Sequence, residues 1–248
     1  MAQSVYSTGN LFGIPAGANP TPVRFATLQD VHIDASFDLK GLYGGYQFPV
    51  EQARGKAKLD IKATTGRIDP ALFNQIFFGL PSTSTGEVLS SVDETWAIPT
   101  TPFQVTTTNS ATWKTDLGVY DTTLGKYKTR VSNAPTTGQY SVALGVYTFA
   151  AADVGNNVKI SYTYTSGSTG NTITQTNTLL GAGIIFGLQL VEYYKGSVGG
   201  KSMTLAFPAV QASKLSMPMK LDDFTLPTFD MSAQDDGSGN VFTWSITG

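Results

Sequence analysis

The sequence predicts a mainly β fold: a β-sandwich or half-barrel with one flanking short α-helix and an inserted small β domain. Three observations predict it. Residues 31–40 alternate apolar and polar side chains without a break, the period of a half-buried strand. Only residues 69–79 combine a helical apolar period with helix start and stop signals. Turn residues recur at short spacing through residues 81–178, as in small antiparallel sandwiches.

In residues 31–40, Val31, Ile33, Ala35, Phe37 and Leu39 point to a core, and His32, Asp34, Ser36, Asp38 and Lys40 point to water. The wet face carries no apolar residue, which suits a strand lining a solvent-filled surface. Gly41 to Tyr46 reads as a Gly/Tyr loop, either a long hairpin turn or a contact loop for a neighbouring subunit. A second alternating strand follows, with Ala57, Leu59, Ile61 and Ala63 inward and Lys56, Lys58, Asp60 and Lys62 outward. In the helix Asp69 caps, Pro70 takes the first position and Gly79 stops it; Leu72, Phe73, Ile76 and Phe77 form its apolar side.

Residues 81–178 open and close on Ser/Thr/Gly-rich stretches that read as linkers. Between them short strands are expected near Trp113, at 119–120, 140–142, 146–149 and 158–164. A buried strand is expected in the apolar stretch 179–191, and longer strands over 184–194, 202–210, 219–233 and 241–246. The simplest organisation is a discontinuous β domain, residues 1–80 and 179–248, with 81–178 inserted.

Composition narrows function. Charged residues make up 14% of the 248, against roughly 25% in ordinary soluble domains. The net charge is −2, so no basic field attracts nucleic acid. The absence of cysteine removes disulfides, thiolate chemistry and Cys-ligated metals. The first eight residues show no basic region or apolar run, so no signal peptide is expected, and no stretch reaches the roughly 20 apolar residues of a membrane helix.

No catalytic constellation emerges. His32, Asp34 and Ser36 share a strand face, but neighbours two apart stand parallel, roughly 7 Å apart, instead of converging. Asp34 and Asp38 lie roughly 13 Å apart, too far for a glycosidase pair. Residues 235–240 cluster oxygen ligands but read better as a turn than as a calcium loop. The glycine-rich segment 196–202 has Lys195 where a phosphate loop needs its first glycine, and it leads into a strand. No enzyme activity, cofactor or metal is expected.

Two stretches carry a resemblance. Residues 26–79, ATLQDVHIDASFDLKGLYGGYQFPVEQARGKAKLDIKATTGRIDPALFNQIFFG, resemble the N-terminal half of major tail tube proteins of long-tailed, siphophage-like bacteriophages. The shared order is strand, Leu-Tyr-Gly loop, Ala-Arg-Gly-Lys strand and a short helix ending Phe-Phe-Gly. Residues 138–165, GQYSVALGVYTFAAADVGNNVKISYTYT, look like a β segment common in phage tail and other virion proteins. The segment from Phe229 to Ile246 is similar to the last strands of such proteins.

The resemblance implies a structural virion protein. Six copies would form a ring, and rings would stack into the hollow tail tube that delivers DNA to the host. The implied partners are further copies of the chain, other tail proteins (tape measure, terminator, baseplate or tip) and, transiently and non-specifically, the passing DNA, with no membrane anchoring. The implied location is the virion tail, assembled in the bacterial host cytoplasm. A lining should not trap phosphates, so the lumen candidates are His32, Asp34, Ser36, Asp38 and Lys40, with the Lys56/Lys58/Lys62 face as the competing, basic lining. The inter-ring loop candidates are Leu42, Tyr43, Gly44, Gly45 and Tyr46, aided by an N-terminal arm over residues 4–22. The insertion would decorate the wall or bridge rings. The rival readings are a carbohydrate-binding or adhesin-like β-sandwich, with Trp96, Trp113, Tyr120 and Tyr147 as a sugar platform, and another virion protein such as a capsid decoration protein or tail terminator.

Overall fold

The computed structural model describes residues 9–80, 82–83, 86–167, 172–177, 179–181, 183–193 and 202–246. It is mainly β, 56% strand and 6% helix, in several antiparallel sheets with a single helix. In chain order the strands are β1 (Asn10–Pro15), β2 (Val23–Arg24), β3 (Leu28–Tyr43), β4 (Pro49–Thr65), β5 (Ser82–Thr83), β6 (Glu87–Ala97), β7 (Gln104–Thr106), β8 (Trp113–Asp121) and β9 (Lys126–Tyr127). They continue with β10 (Thr129–Arg130), β11 (Gln139–Ala143), β12 (Val146–Phe149), β13 (Asn157–Ser166), β14 (Thr172–Ile173), β15 (Ile185–Tyr193), β16 (Ser202–Ser216), β17 (Thr228–Ala233) and β18 (Thr243–Ile246). The chain divides into two compact units, Met1–Pro81 with Gln175–Gly248, and Ser82–Thr174.

The first unit is one antiparallel sheet in the order β2-β1-β15-β16-β17-β4-β3, with β18 also paired to β16. Cross-strand rows build its core. Ile33 stands opposite Ile61, Ile61 opposite Met231 and Met231 opposite Ala212; Val31, Ala63, Phe229 and Leu215 form the next row. Phe229 is fully buried, with T-shaped contacts to Phe25 at 5.5 Å and Phe73 at 5.1 Å. Removing such a side chain from water contributes about 1.5–3 kcal/mol.

The helical segment covers this apolar face. Asp69 caps it as expected, since the Leu72 N–H donates to Asp69 Oδ1 at 3.2 Å. The expected helix over 69–79 is otherwise corrected: one α-turn, α1 (Pro70–Phe73), runs directly into a π-turn (Asn74–Phe78). Asn74 closes it. Its Oδ1 accepts from the Leu80 N–H at 3.0 Å while its Nδ2 donates to the Leu80 carbonyl oxygen. Gly79 then takes the left-handed conformation of a C-cap, φ 59°. Packing against this segment also needs a glycine at Gly13, because a Cβ there would lie 2.9 Å from Ile76.

Other expected boundaries shift. Residues 10–15 of the expected N-terminal arm are strand β1, paired antiparallel with β15 and burying Leu11; residues 4–8 lie outside the described residues, as do 194–201. The buried strand expected from residue 179 begins at Ile185, and Leu179 and Leu180 are exposed. The strand expected over 219–233 begins only at Thr228, directly after Pro227, whose ring nitrogen cannot donate to a ladder.

The second unit is a sandwich. One sheet runs β10-β11-β12-β7 and the other β6-β13-β8-β9, all antiparallel except the β10–β11 pair; β14 and β5 form a separate ribbon. Val105, Tyr140, Tyr147 and Phe149 from the first sheet meet Val119, Val158, Ile160 and Tyr162 from the second in a common core. Within the sandwich Glu94 gathers several donors: it accepts from Trp96 Nε1, Tyr162 OH and both the N–H and hydroxyl of Thr108. Burial pushes the Glu94 carboxyl up, but these hydrogen bonds outweigh it and hold it below its ordinary value.

Candidate assembly site

The site is the β3–β4 hairpin. Strand β17 supports β4 only from Leu59 to Thr64, so everything distal to Leu59 is, among the described residues, a two-stranded ribbon with no third strand beside it. The expected strands 31–40 and 56–63 are both longer than their alternation, because each lengthens the other by pairing: Gly41 with Gln52, Leu42 with Glu51 and Tyr43 with Pro49. The turn shrinks accordingly. Of the loop candidates, Leu42 and Tyr43 belong to β3, and Gly44, Gly45 and Tyr46 form the turn with Gln47 and Phe48.

This geometry corrects one expectation. Val31 and Ile33 are half-buried as a core face should be, but Ala35, Phe37 and Leu39 on the same face are exposed. The exposed apolar surface runs on through Leu42, Tyr43, Tyr46, Phe48 and Val50, from 63% to 83% exposed. Beside its base, Phe242, Trp244 and Ile246 are also exposed. Between Phe37, Ala57, Leu59, Val241 and Phe242 lies a largely apolar groove of about 290 Å³. Arg54 lies over the Phe37 ring, 4.6 Å from its centroid.

Along β3 from His32 to Lys40 the opposite face is polar. His32, Asp34, Ser36, Asp38 and Lys40 are all exposed on it. The register places His32 opposite Lys62, Asp34 opposite Asp60 and Ser36 opposite Lys58, while a bulge between Phe37 and Leu39 takes up Gly55 and Lys56. The two linings weighed as competitors are therefore halves of one face. Its charges pair locally: Lys58 Nζ lies 2.6 Å from Asp60, and His32 Nε2 lies 3.0 Å from Asp30. The row continues inward from Lys62 to Asp230 and from Asp230 to Lys214.

The other candidates resolve individually. Tyr147 is fully buried, Trp113 Nε1 donates to its hydroxyl at 3.4 Å, and Trp96 Nε1 donates to Glu94, so these rings do not share an open sugar platform with Tyr120. Residues 235–240 form a turn whose carboxylates are occupied. Asp235 Oδ1 accepts from the Gly237 and Gly239 amides, and Asp236 accepts from Ser238 and Asn240, which hold the Asp236 carboxyl below its ordinary value. Among the described residues no group of three His, Asp or Glu side chains is placed to hold a metal. None of their helices is long and apolar enough to cross a membrane.

Sequence reasoning missed the exposed 242–246 patch. Its alternation was legible, but alternation does not say whether anything covers the apolar side. No family model matches the sequence, and no curated protein matches it.

Proposed function

We propose that this chain is the major tail tube subunit of a long-tailed bacteriophage, a structural virion protein whose copies form hexameric rings that stack into the DNA-conducting tube. The observation that supports it best is the β3–β4 hairpin. A ribbon of this length, apolar on one face and carrying aromatics at its tip, is incompletely buried in one copy. Its outer edge, the 16-residue strand β3, ends the sheet with no strand partner among the described residues, which in isolation invites uncontrolled pairing. Neighbouring copies cover both: the apolar face packs between subunits and the β3 edge pairs with the next subunit's sheet.

The polar face then lines the lumen. His32, Asp34, Ser36, Asp38 and Lys40 share it with Lys58, Lys62 and Asp60. A lining in which Lys58 stands beside Asp60 and Lys62 beside Asp230 offers DNA no continuous cationic track, so contacts stay transient. Leu42 to Phe48 contact the adjacent ring. The tape measure, terminator and tip proteins complete the tail in this reading, assembled in the host cytoplasm.

Negative-stain electron microscopy of the purified protein across concentrations, with light scattering for mass, tests this. Six-fold rings or hollow tubes are the expected result. A monomer at every concentration that also fails to add to an initiator complex would overturn it.

A further inference from the structure

The sandwich unit buries a charged cluster that its fold does not require. Lys128, between β9 and β10, places Nζ 3.0 Å from Asp121 Oδ2 and 2.9 Å from Asp153 Oδ2, and all three side chains are essentially fully enclosed, at 0%, 0% and 1% exposure. Asp121 ends β8, and Asp153 ends the 3₁₀ turn Ala151–Asp153. Lysine is seldom enclosed so completely. Nζ faces both carboxylates without the directionality of a hydrogen bond to either. One cation among two carboxylates leaves a net negative charge in a dry site, an arrangement whose desolvation penalty mutual attraction offsets poorly.

We propose that Lys128 and Asp153 condense into an intramolecular isopeptide bond, with Asp121 as the proton-transferring base. The hydrogen bonds assign the roles. Both Asp121 oxygens are anchored, Oδ1 by the Leu124 N–H at 2.9 Å and Oδ2 by Asn156 Nδ2 at 2.9 Å. Asp153 is held through Oδ2 alone, which accepts from the Gly138 N–H at 2.9 Å. Asp121 is thus fixed as a carboxylate, and Asp153 keeps one oxygen free to depart. Consistently, burial pushes the Asp121 carboxyl up, but the Leu124 amide, Lys128 and Asn156 hold it below its ordinary value.

The chemistry balances without a further reagent. One proton passes from Nζ to Asp153, turning the ion pair into an amine and a carboxylic acid. The Nζ lone pair attacks Asp153 Cγ, forming the C–N bond, from a position already 2.9 Å from Asp153 Oδ2. Asp121 removes a proton from the nitrogen. The tetrahedral centre collapses, the C–OH bond breaks, and the hydroxyl takes the proton from Asp121 and leaves as water. Two buried opposite charges become one neutral amide, and Asp121 is again a carboxylate. The bond would close the chain from 128 to 153 into a covalent loop around the β11–β12 hairpin, a brace fitting for a module exposed on a particle surface.

Intact-mass spectrometry of the denatured full chain tests the proposal, followed by a tryptic map. The expected mass is that of the sequence less one water. The expected peptide is residues 127–130, uncut after Lys128, joined to residues 131–159. A succinimide at Asp236-Gly237 would also remove one water, and the map tells the two apart. Lys128→Arg and Asp121→Asn are each expected at full mass, and Asp153→Asn is expected lighter by one ammonia. A folded wild-type chain at full mass, or a lost water mapped elsewhere, overturns the proposal and leaves the cluster a buried ion pair. Bond formation in Asp121→Asn overturns the role given to Asp121.

Discussion

If the hairpin tip is an assembly surface, its apolar side chains should matter little to the subunit and greatly to the assembly. Replacing Leu42, Tyr43 and Phe48 together by serine separates the two. These side chains are 64%, 63% and 80% exposed, so each change should alter subunit stability by no more than about 0.5 kcal/mol. Full burial of a large apolar side chain is worth about 1.5–3 kcal/mol, and roughly two-thirds of that remains to be gained here, giving about 1–2 kcal/mol per residue. Three residues then supply about 3–6 kcal/mol per subunit contact, roughly a 10²- to 10⁴-fold rise in the concentration needed to assemble. Sedimentation velocity over a concentration series gives the assembly threshold, and thermal unfolding followed by circular dichroism gives the subunit control. An unchanged threshold would refute the assignment of the tip. A melting temperature several degrees lower would refute the premise that these residues are free in the subunit.

Three further outcomes are expected. Phe229→Ala removes the ring between Phe25 and Phe73 and should cost about 3–5 kcal/mol, read as a lower urea midpoint. Glu94 is held below its ordinary value of 4.5 in the folded sandwich, so the unfolded chain binds the proton more readily. Stability should be intact at neutral pH and fall as pH drops below about 4.5 through the folded value; Glu94→Gln should flatten that part of the profile in a pH series of thermal melts. Changing Asp34, Asp38 and Asp60 to asparagine leaves the lysines of the polar face unopposed, so the variant should retain DNA in a low-salt gel-shift assay and release it as salt rises. Equal retention by the unchanged protein would contradict the balanced-face argument.

The strand core of the first unit was legible because alternation is a local signal. Val31, Ile33, Leu59, Ile61 and Ala63 read correctly as one face, with Val31 opposite Ala63, Ile33 opposite Ile61 and Leu59 opposite Ala35. What failed were statements about what lies beneath. Phe37 and Leu39 carry the same alternation as Ile33, yet they are exposed because β17 stops at residues pairing with Leu59, a fact held in a segment some 170 residues away. The helix start was readable from Asp69 and Pro70. Its change into a π-turn was not, since Leu72, Phe73 and Ile76 satisfy either winding over so short a span. Lys128 drew no notice because Asp121 and Asp153 are remote from it in sequence, and isolated charges in a turn-rich segment read as solvated. The two halves of the polar face looked like rivals for a similar reason: a strand shows its own face, and only the pairing shows that two faces are one.

That pairing bears on how a wall can guide a polyanion without holding it. Lysines alone would bind phosphates in proportion to their number and slow every passage. Aspartates alone, repeated around a closed ring, would repel one another and oppose closure. In the proposed tube the sheet would avoid both by setting Lys62 opposite Asp230 and Asp230 opposite Lys214. Lys58 already has a carboxylate partner, its Nζ lying 2.6 Å from Asp60. The one like-charge pairing, Asp34 opposite Asp60, is relieved by that same lysine. In the proposed tube, self-repulsion within a ring and attraction to its cargo would both be reduced by a single device, the register of β3 on β4. A one-residue slip of that register would bring the apolar set to the water-facing side and forfeit both.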